Sequence, residues 1–460
     1  MRILIAGGGQ VAALIARRLI REHNEIVIVE QDEERCAQLS ELLDAKVVRG
    51  NAASIETLRK AGLGDSEMLI AITNSDEINL LTCLIAQAES NVKVKVARMR
   101  THEVDDWRRI AAVCGLKIDL IIHPETRISE RIMRVVRMPG VSDILDFAGG
   151  AVKLFGMNVE PDSWFNGKTL EELDRANPPK DSLIAMVFRG QQVIIPHGAE
   201  VLRAGDHIYV VATQENLGDV LRFMGLQEQK TLSRVFIVGG KQIGISVAEA
   251  LEKQGVQVKL FERDARRCEK ISGILSKTVV IHADGTDQTS LEEESIEGVD
   301  AFLALTNDDE DNIIASLLAR KLGAKKVIAL INRLNYLPMV QRLGINTSVS
   351  QRLATVDRIL QFVRKGRVLS VTTFREEEAE AIELIAAAGS RYVGKKLRDI
   401  RFPRGAIVGA IARANGEVLV PRGDASIEAG DRVIFFTLEH VVPELESAFL
   451  LEPKTERTRV

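Results

Sequence analysis

The chain opens with the pattern of a buried strand, a glycine turn and an amphipathic helix. Residues Arg2–Ala6 form a short apolar run, which is too brief for a helix and typical of a buried strand. After three glycines, apolar residues recur at helical spacing at Val11, Ile15 and Leu19. A second apolar run follows and ends in Glu30. This opening stretch therefore predicts a strand, a turn, a helix and a second strand.

The glycines and the acid of this stretch stand where a dinucleotide-binding unit needs them. Gly7 permits the tight turn, and Gly9 lacks the Cβ that would keep a pyrophosphate away from the backbone. The helix start presents unpaired N–H groups and a positive dipole end to that phosphate. Glu30 lies about 20 residues past the turn, where it can accept hydrogen bonds from both ribose hydroxyls and repel a 2′-phosphate. Ala12 takes the place of the third glycine.

The opening pattern recurs in the second half of the chain. From Arg234 the sequence RVFIVGGKQIGISVAEALEKQGVQVKLFERD repeats it, with Glu262 matching Glu30. After a slip of one residue, VVRGNA aligns with VIHADG and LIAITNSDEIN aligns with FLALTNDDEDN. In both copies an apolar strand ends in Thr-Asn before an acidic helix start, which is more typical of helix caps than of catalytic acids.

A smaller module follows each copy, and the two modules also match. GKTLEEL at 167–173 corresponds to GKKLRDI at 394–400, and IPHGAEVLRAGDHIYVV at 195–211 corresponds to VPRGDASIEAGDRVIFF at 420–436. Short alternating runs separated by Gly-Asp turns predict small antiparallel sheets. Each module is expected to close with a helix, at 215–223 and at 440–449.

The alternation of strands and helices predicts an α/β protein with two Rossmann-like, doubly wound parallel-sheet domains, each followed by a small α+β C-terminal subdomain in tandem duplication. The predicted segments are a nucleotide-binding domain at 1–137, a small subdomain at 138–224, a linker at 225–233, a second nucleotide-binding domain at 234–365, a second small subdomain at 366–451 and a disordered tail at 452–460.

Composition limits the class of protein. The 460 residues carry a formal net charge of −4 with interleaved signs, so no nucleic-acid surface is indicated. No apolar run approaches the roughly 18 residues that span a bilayer, and the N-terminus enters a strand rather than a signal peptide. The four cysteines form no CxxC pair, which favours a reducing cytoplasm and no metal site.

Ligands of such folds bind at the carboxyl ends of the strands. The candidate cofactor-binding residues there are, in the first copy, Gly7, Gly8, Gly9, Gln10, Val11, Glu30, Gln31, Asp32, Asn51, Ala52, Thr73, Asn74 and Arg98. Their counterparts in the second copy are Gly239, Lys241, Gln242, Ile243, Glu262, Asp284 and Thr306.

The two copies are not equally suited to a nucleotide. Arg98 is either a phosphate partner or a solvated strand end. Its counterpart in the second copy is apolar, Leu330 or Ile331 depending on where the alignment slips. Lys241 replaces the middle glycine and adds a side chain where the pyrophosphate should approach. The second site is therefore expected to bind a nucleotide differently, weakly or not at all.

The sequence offers little for catalysis. The seven histidines are scattered, and no H-E-x-x-H or G-x-S-x-G pattern is present. A dehydrogenase needs a placed acid/base near the nicotinamide. A nucleotide fold without that chemistry favours sensing over turnover, so we expect no enzyme. An NAD-linked oxidoreductase and a scaffold with vestigial nucleotide sites remain the alternatives.

The GGGQVA turn with VIVEQDEERC, the GNA and ADGT strand ends and the LIAITNSDEIN stretch resemble regulator-of-potassium-conductance (RCK) nucleotide-binding domains. The GKTL, PHG and AGD modules resemble the C-terminal subdomains of that family. The residues that match the family motif are Gly7, Gly9, Glu30, Asn51, Thr73 and Arg98, and the departures are Ala12 for Gly, Asn51 for the usual Asp, and Lys241 for Gly.

The resemblance implies NAD(H) as the cofactor, with ATP/ADP possible at the same site. It also implies a homo-oligomer, a tetrameric ring, docked beneath a membrane-embedded potassium-translocating subunit. The chain would then be a cytoplasmic gating subunit, peripheral on the inner face of the cell membrane through that partner, which couples nucleotide binding to potassium transport.

Overall fold

The computed structural model describes residues 1–100, 104–190, 192–226, 232–345, 347–363, 368–374 and 379–449. The predicted tail at 452–460 lies outside these ranges, as do residues 227–231 of the predicted linker. The chain divides into two compact units. One unit is Met1–Arg127 with Gln351–Val363, and the other is Ile128–Ser350 with Arg364–Val460. In the described ranges, no helix is both long enough and apolar enough to cross a bilayer.

The first segment alternates strands and helices as predicted. Its elements are β1 (Arg2–Ala6), α1 (Gln10–Arg21), β2 (Glu25–Glu30), α2 (Glu33–Leu42), β3 (Lys46–Arg49), α3 (Ile55–Lys60), β4 (Met68–Ala71), α4 (Asp76–Glu89), β5 (Val94–Arg98), α5 (Val104–Val113), β6 (Leu120–Ile122) and α6 (Pro124–Val135). The strands form a parallel sheet in the order β3-β2-β1-β4-β5-β6. The strands run in descending number from β3 to β1 and then in ascending number from β4 to β6. The topological switch point therefore lies between β1 and β4, next to the glycine turn that follows β1.

The first small module is antiparallel. Its elements are β7 (Val141–Phe147), β8 (Val152–Asn158), α7 (Leu170–Arg175), β9 (Ser182–Arg189), β10 (Gln192–Ile194), β11 (His207–Thr213) and α8 (Leu217–Phe223). The strand order is β10-β9-β11-β8-β7. The predicted closing helix at 215–223 is present as α8.

The second parallel sheet repeats the first. Its elements are β12 (Arg234–Val238), α9 (Gln242–Glu252), β13 (Gln257–Glu262), α10 (Ala265–Ile274), β14 (Val279–His282), α11 (Gln288–Glu293), β15 (Ala301–Ala304), α12 (Asp309–Lys321), β16 (Val327–Leu330), α13 (Leu337–Arg342), β17 (Thr347–Val349) and α14 (Gln351–Val363). The order β14-β13-β12-β15-β16-β17 is that of the first sheet.

The second small module repeats the antiparallel sheet. Its elements are β18 (Val368–Phe374), β19 (Ala379–Ile385), β20 (Ala406–Ala412), β21 (Val418–Leu419), β22 (Arg432–Leu438) and α15 (Val442–Phe449). The order β18-β19-β22-β20-β21 is equivalent to that of the first small sheet. The fold class predicted from the sequence, two Rossmann-like domains with α+β subdomains in tandem, is confirmed.

Helix α14 packs away from its neighbours in sequence. The sequence analysis assigned residues 351–363 to the segment 234–365, but Val356, Ile359 and Leu360 are buried in the core of the first unit. There they contact α1 residues such as Ile15. Apolar periodicity predicts that a helix buries a face but does not say which sheet will cover it.

The two small sheets share one core within the second unit. Phe147 on β7 and Phe436 on β22 are fully buried and meet edge to face, with ring centroids 6.4 Å apart. Phe374 packs in the same way on Tyr209, at 4.6 Å. The apolar alternation of the strands is therefore satisfied by sheet-on-sheet packing.

A buried lysine joins the first small module to the second parallel sheet. Lys326, just before β16, is 7 % exposed. Its Nζ donates to the carbonyl oxygens of Val135, Met138 and Val141, at 2.7, 2.6 and 2.8 Å. These carbonyls lie at the end of α6, in the turn after it and at the start of β7. A compact ammonium with three donors suits such a triad of acceptors.

Candidate functional site

The glycine turn is built in the same way in both copies. Gly7 and Gly239 each have φ +104°, which favours glycine. A Cβ on Gly7 would lie 3.0 Å from backbone atoms of Thr73, and one on Gly239 would lie 2.9 Å from backbone atoms of Leu305. The turn therefore passes close to the end of the neighbouring strand, and no other residue type fits there without strain.

The last residue of the turn, which is the middle glycine of the dinucleotide-binding motif, differs between the copies. Gly9 is the N-cap of α1, with φ −71° and ψ 179°, and a Cβ there would have no atom within 4 Å. Lys241 is the N-cap of α9, with nearly the same extended conformation, φ −88° and ψ −175°. Gly9 is thus not required by backbone strain, and the space in front of it is open to a ligand.

The helices that follow the glycine turns begin without a side-chain cap, in contrast to the helices around them. The N-cap residues Gly9 and Lys241 make no side-chain cap hydrogen bond, and neither helix has an acid in its first turn. In the two parallel-sheet segments, the helices whose N-cap side chain accepts a helix N–H, with that residue, are α2 (Asp32), α3 (Ser54), α4 (Ser75), α10 (Asp264), α11 (Asp287) and α12 (Asp308). Among these eight helices, only α1 and α9, which follow the glycine turns, leave their first N–H groups and positive dipole end available to an anion.

The carboxylate of Glu30 fastens the turn. It is 7 % exposed and accepts three backbone N–H bonds, from Gly8 at 2.6 Å, Gln31 at 2.8 Å and Asp32 at 2.9 Å. The sequence predicted that Glu30 binds ribose, and the structure shows that its carboxylate also holds the glycine turn in place through these hydrogen bonds. A carboxylate has about four acceptor positions, so one remains for a ligand hydroxyl.

Glu262 repeats two of the three bonds of Glu30 and lies beside an arginine. Its oxygens accept from Gly240 N–H at 2.9 Å and Asp264 N–H at 3.1 Å. Arg267 also donates to the Gly240 carbonyl, at 2.7 Å, and lies 3.6 Å from the Glu262 carboxylate. The second turn therefore contains a cation, whereas Arg35, its counterpart in the first copy, is exposed.

After β3 and β14, the side chains of Asn51 and Asp284 accept hydrogen bonds from residues of the same loop. Asn51 Oδ1 accepts from the N–H of Ala53 at 2.8 Å. Asp284 Oδ1 accepts from the N–H and the hydroxyl of Thr286, at 2.9 and 2.7 Å. Ala52 is 6 % exposed and packs in the core. Asn51 and Asp284 are themselves exposed, which leaves their remaining polar atoms toward solvent.

At the fourth strand end, the sequence analysis missed a buried asparagine. Asn79 is fully buried, and its Oδ1 accepts from Thr73 N–H and lies 2.8 Å from Thr73 Oγ1. Its amide donates to the Arg98 carbonyl at 2.8 Å. Asn312 makes the same bonds to Thr306 and Leu330. The Thr hydroxyls are thus engaged within the scaffold. The repeated Asn six residues after each Thr was the available signal.

The same bonds resolve the alignment at the fifth strand. Because Asn79 bonds the Arg98 carbonyl and Asn312 bonds the Leu330 carbonyl, Leu330 is the counterpart of Arg98. The Nε of Arg98 is buried without a hydrogen-bond partner within the described ranges. Burial, and to a lesser degree the nearby Arg100, lowers the pKa of Arg98. Leu330 is 1 % exposed and apolar.

The other predicted residues fall into two groups. Val11 and Ile243 are buried, at 7 % and 4 % exposed, so they can meet a ligand only through the backbone. Gln10 and Gln31 are exposed, and Gln242 is half-buried. Asn74 is exposed, and its Oδ1 accepts from Arg100 at 3.0 Å.

Asp32 is expected to act through the helix rather than through a ligand. Its carboxylate accepts from the N–H of Arg35 at 2.9 Å and caps α2. Asp32→Ala should therefore lower the free energy of unfolding by about 1 kcal/mol. Denaturant unfolding measures this loss, and Asp32→Asn, which keeps the cap, is the matched control. A variant as stable as the wild type would contradict the capping role.

A cleft of about 250 Å³ lies at the second site. Its walls come from the ends of β12, β13, β14 and β15, and they include Lys241, Arg263, Asp284, Asp308 and Asp311. Burial, followed by the charge of Asp308, raises the pKa of Asp311. The cleft therefore combines two cations with several acids.

The histidines near these sites act within the scaffold. His282 Nε2 lies 3.1 Å from the Arg263 carbonyl, and His123 Nδ1 lies 2.8 Å from Thr126 Oγ1. The thiols of Cys36 and Cys268 contact the carbonyl oxygens of Glu30 and Glu262. Burial first, and then the adjacent glutamate, raises the pKa of each thiol, which disfavours the reactive thiolate.

Two Rossmann-like sheets with uncapped glycine-turn helices, each followed by a small antiparallel module, define a tandem nucleotide-binding protein of the RCK class. The TrkA-N domain model matches residues 3–124 and 235–351, and the TrkA-C domain model matches residues 154–225 and 381–450. The chain belongs to the TrkA family.

Relatives in this family match over nearly the whole chain. The chain is 38 % identical to the Trk system potassium uptake protein TrkA of Halomonas elongata, over 95 % of this chain and 96 % of that protein. It is 36 % identical to the TrkA of Vibrio alginolyticus, over 98 % of this chain and 99 % of that protein.

Solved structures share the fold. The RCK domain of GsuK is similar with a TM-score of 0.60 and 20 % identity, over 97 % of this chain and 94 % of that one. The GsuK channel bound to NAD matches with a TM-score of 0.59 and 19 % identity, over 97 % of this chain and 78 % of that one.

Proposed function

We propose that this protein is the cytoplasmic, nucleotide-binding gating subunit of a Trk-type potassium-uptake transporter. It binds NAD(H), with ATP or ADP as competing ligands, and has no catalytic activity of its own. The single observation that carries nucleotide binding is the contrast in capping between α1 and α9 on one side and the six capped helices on the other. Family membership supports potassium uptake as the process that the nucleotide controls.

For the first site we propose as ligand-binding residues those that still have a polar group available for a ligand near the glycine turn. The backbone at Gly7–Gly9 and the start of α1 would hold the pyrophosphate. The remaining acceptor position of Glu30 would receive a ribose hydroxyl, and Asn51 would contact the adenosine. The Arg98 guanidinium, half-buried beside β5, would pair with a phosphate.

We further propose that the chain assembles into a tetrameric ring. Exposed apolar residues on both parallel-sheet segments support this assembly. Leu81 and Leu84 on α4 are 42 % and 46 % exposed, and Ile314, which matches Leu81 in the second copy, is 53 % exposed. Exposed apolar residues at matching positions favour contacts with other subunits. A ring would let the nucleotide act on the membrane-embedded partner, provided that two ring states bind it with different affinity.

Gly9→Val tests this function with little risk to the fold. A Cβ at this position has no atom of the described ranges within 4 Å, so the added side chain should enter the open space in front of the turn, where the ligand is proposed to bind. Gly64→Val is the matched control, because Gly64 is equally open and lies before the amino end of β4. In cells deleted for this gene, at low external potassium, wild type and Gly64→Val should restore potassium uptake, and Gly9→Val should not.

The oxidoreductase alternative predicts a different outcome of the same experiment. If the deletion leaves uptake unchanged but lowers substrate-dependent NADH oxidation in extracts, the gating function is wrong. If Gly9→Val restores uptake fully although it no longer binds nucleotide, the sites are vestigial and the chain acts as a scaffold.

A further inference from the structure

We propose that the second site takes an adenine mononucleotide with a free terminal phosphate, and that Lys241 makes this site reject a dinucleotide. The inference rests on the proposed function and assigns the two sites of one chain to two ligand classes. It follows from comparing two copies of one fold at equivalent positions.

The backbone does not explain the exchange of Gly9 for Lys241. Both residues are extended N-caps, so glycine and lysine are equally unstrained there. What differs is the side chain, which lines the second cleft. Lys241 is exposed, and within the described ranges its ammonium makes no hydrogen bond or ion pair. A charged group without a partner at an uncapped helix start is arranged for an anion.

The residues that line the second cleft cover only one of the two halves of the sheet edge that a dinucleotide occupies in this fold. A dinucleotide in this fold crosses the switch point from the β12–β13–β14 side to the β15–β16–β17 side. The cleft residues lie at the ends of β12 to β15, with none from β16 or β17. Its volume of about 250 Å³ is below the usual range for drug-sized ligands, about 300–1,000 Å³.

The other half of the path lacks its cation in the second copy. The first copy has Arg98 at the end of β5, with a buried Nε that has no partner within the described ranges. The equivalent Leu330 is 1 % exposed and cannot pair with a phosphate. The first site thus has an arginine at the end of β5, whereas the equivalent position of the second site is apolar.

The charges of the second cleft also fix how a mononucleotide would lie. Asp284, Asp308 and Asp311 would repel phosphate but can accept hydrogen bonds from ribose hydroxyls and an adenine amino group. The phosphates would therefore lie at Lys241. A terminal phosphate carries nearly two charges at neutral pH, whereas each phosphate of a dinucleotide carries one. Lysine, as a point charge, favours the former.

Calorimetric titration of the full chain with NADH and with ADP tests this assignment. The wild type should bind one NADH per chain. Lys241→Gly should admit NADH to the second site, with lower affinity than at the first because Leu330 stands in place of Arg98. Its affinity for ADP at the second site should fall about 10-fold, as expected for the loss of one charge-assisted hydrogen bond. Lys241→Met keeps the bulk without the charge, so it should still bind one NADH but bind ADP more weakly.

The reciprocal variant is Gly9→Lys, which should bind no NADH at either site. Two NADH molecules of similar affinity on the wild-type chain would overturn the inference, as would an affinity for ADP that Lys241→Gly leaves unchanged. Either result would leave the proposed function intact. If neither NADH nor ADP binds the wild type, the proposed function itself fails, so the two failures are distinguishable.

Discussion

Glu30→Ala should weaken NADH binding at the first site by at least about 100-fold and lower the free energy of unfolding by about 2–4 kcal/mol. The stability loss follows because the N–H groups of Gly8, Gln31 and Asp32 lose an ionised acceptor in a buried place. The binding loss follows because the turn that should hold the phosphate is no longer fastened to β2, and because a ribose acceptor is removed.

Calorimetry and denaturant unfolding measure the two effects separately. Glu41→Ala is the control, since Glu41 is exposed on α2. Glu30→Gln keeps one acceptor oxygen and should fall between the wild type and the alanine variant in both measurements. Unchanged NADH affinity in folded Glu30→Ala would remove Glu30 from the binding site, and unchanged stability would contradict its role in fastening the turn.

Lys326→Met should lower the free energy of unfolding by about 1–3 kcal/mol near pH 7 and change its pH dependence. The first effect follows because three buried carbonyls lose their common donor. The second follows from burial, which lowers the pKa of Lys326 to about 7, a shift only partly opposed by Asp143. Asp143 is itself paired with Arg131.

The direction of the pH effect follows from proton counting. An unfolded lysine titrates near pH 10.4, so between pH 7 and about 10 the unfolded chain holds a proton that the folded chain has released. The stability of the wild type relative to Lys326→Met should therefore rise with pH, by at most about 1.4 kcal/mol per pH unit. Lys321→Met, on the exposed end of α12, should show no such change. A difference that stays flat or falls from pH 7 to 9.5 would contradict the account.

The fold was largely predictable because its signals are local. Apolar runs and glycine turns identified the strands around Gly7 and Gly239, and the repeat gave two independent readings of each element. The packing of α14 in the first unit was not predictable in this way. Its apolar face could have covered either parallel sheet, and only tertiary contacts such as that of Leu360 decide which. The domain boundaries therefore stay predictions.

The candidate site was predictable in position but not in how each side chain is used. Glu30 ends β2, Thr73 follows β4 and Val11 lies in the first turn of α1, so all three are near the switch point. The sequence did not show that Val11 is buried, that Thr73 bonds Asn79, or that Glu30 fastens the glycine turn. These uses depend on how close neighbouring strands and loops approach, which single-residue patterns do not encode. The binding roles of these residues remain predictions.

The central claim is that nucleotide at the first site controls potassium flux, and reconstitution tests it most directly. The chain would be added to proteoliposomes that contain its membrane-embedded partner, and potassium flux would be recorded while NADH or ATP is titrated. The account predicts that flux changes with nucleotide for wild type and Gly64→Val, and is unresponsive for Gly9→Val. Flux that responds equally with Gly9→Val, or that ignores nucleotide with the wild type, would contradict it.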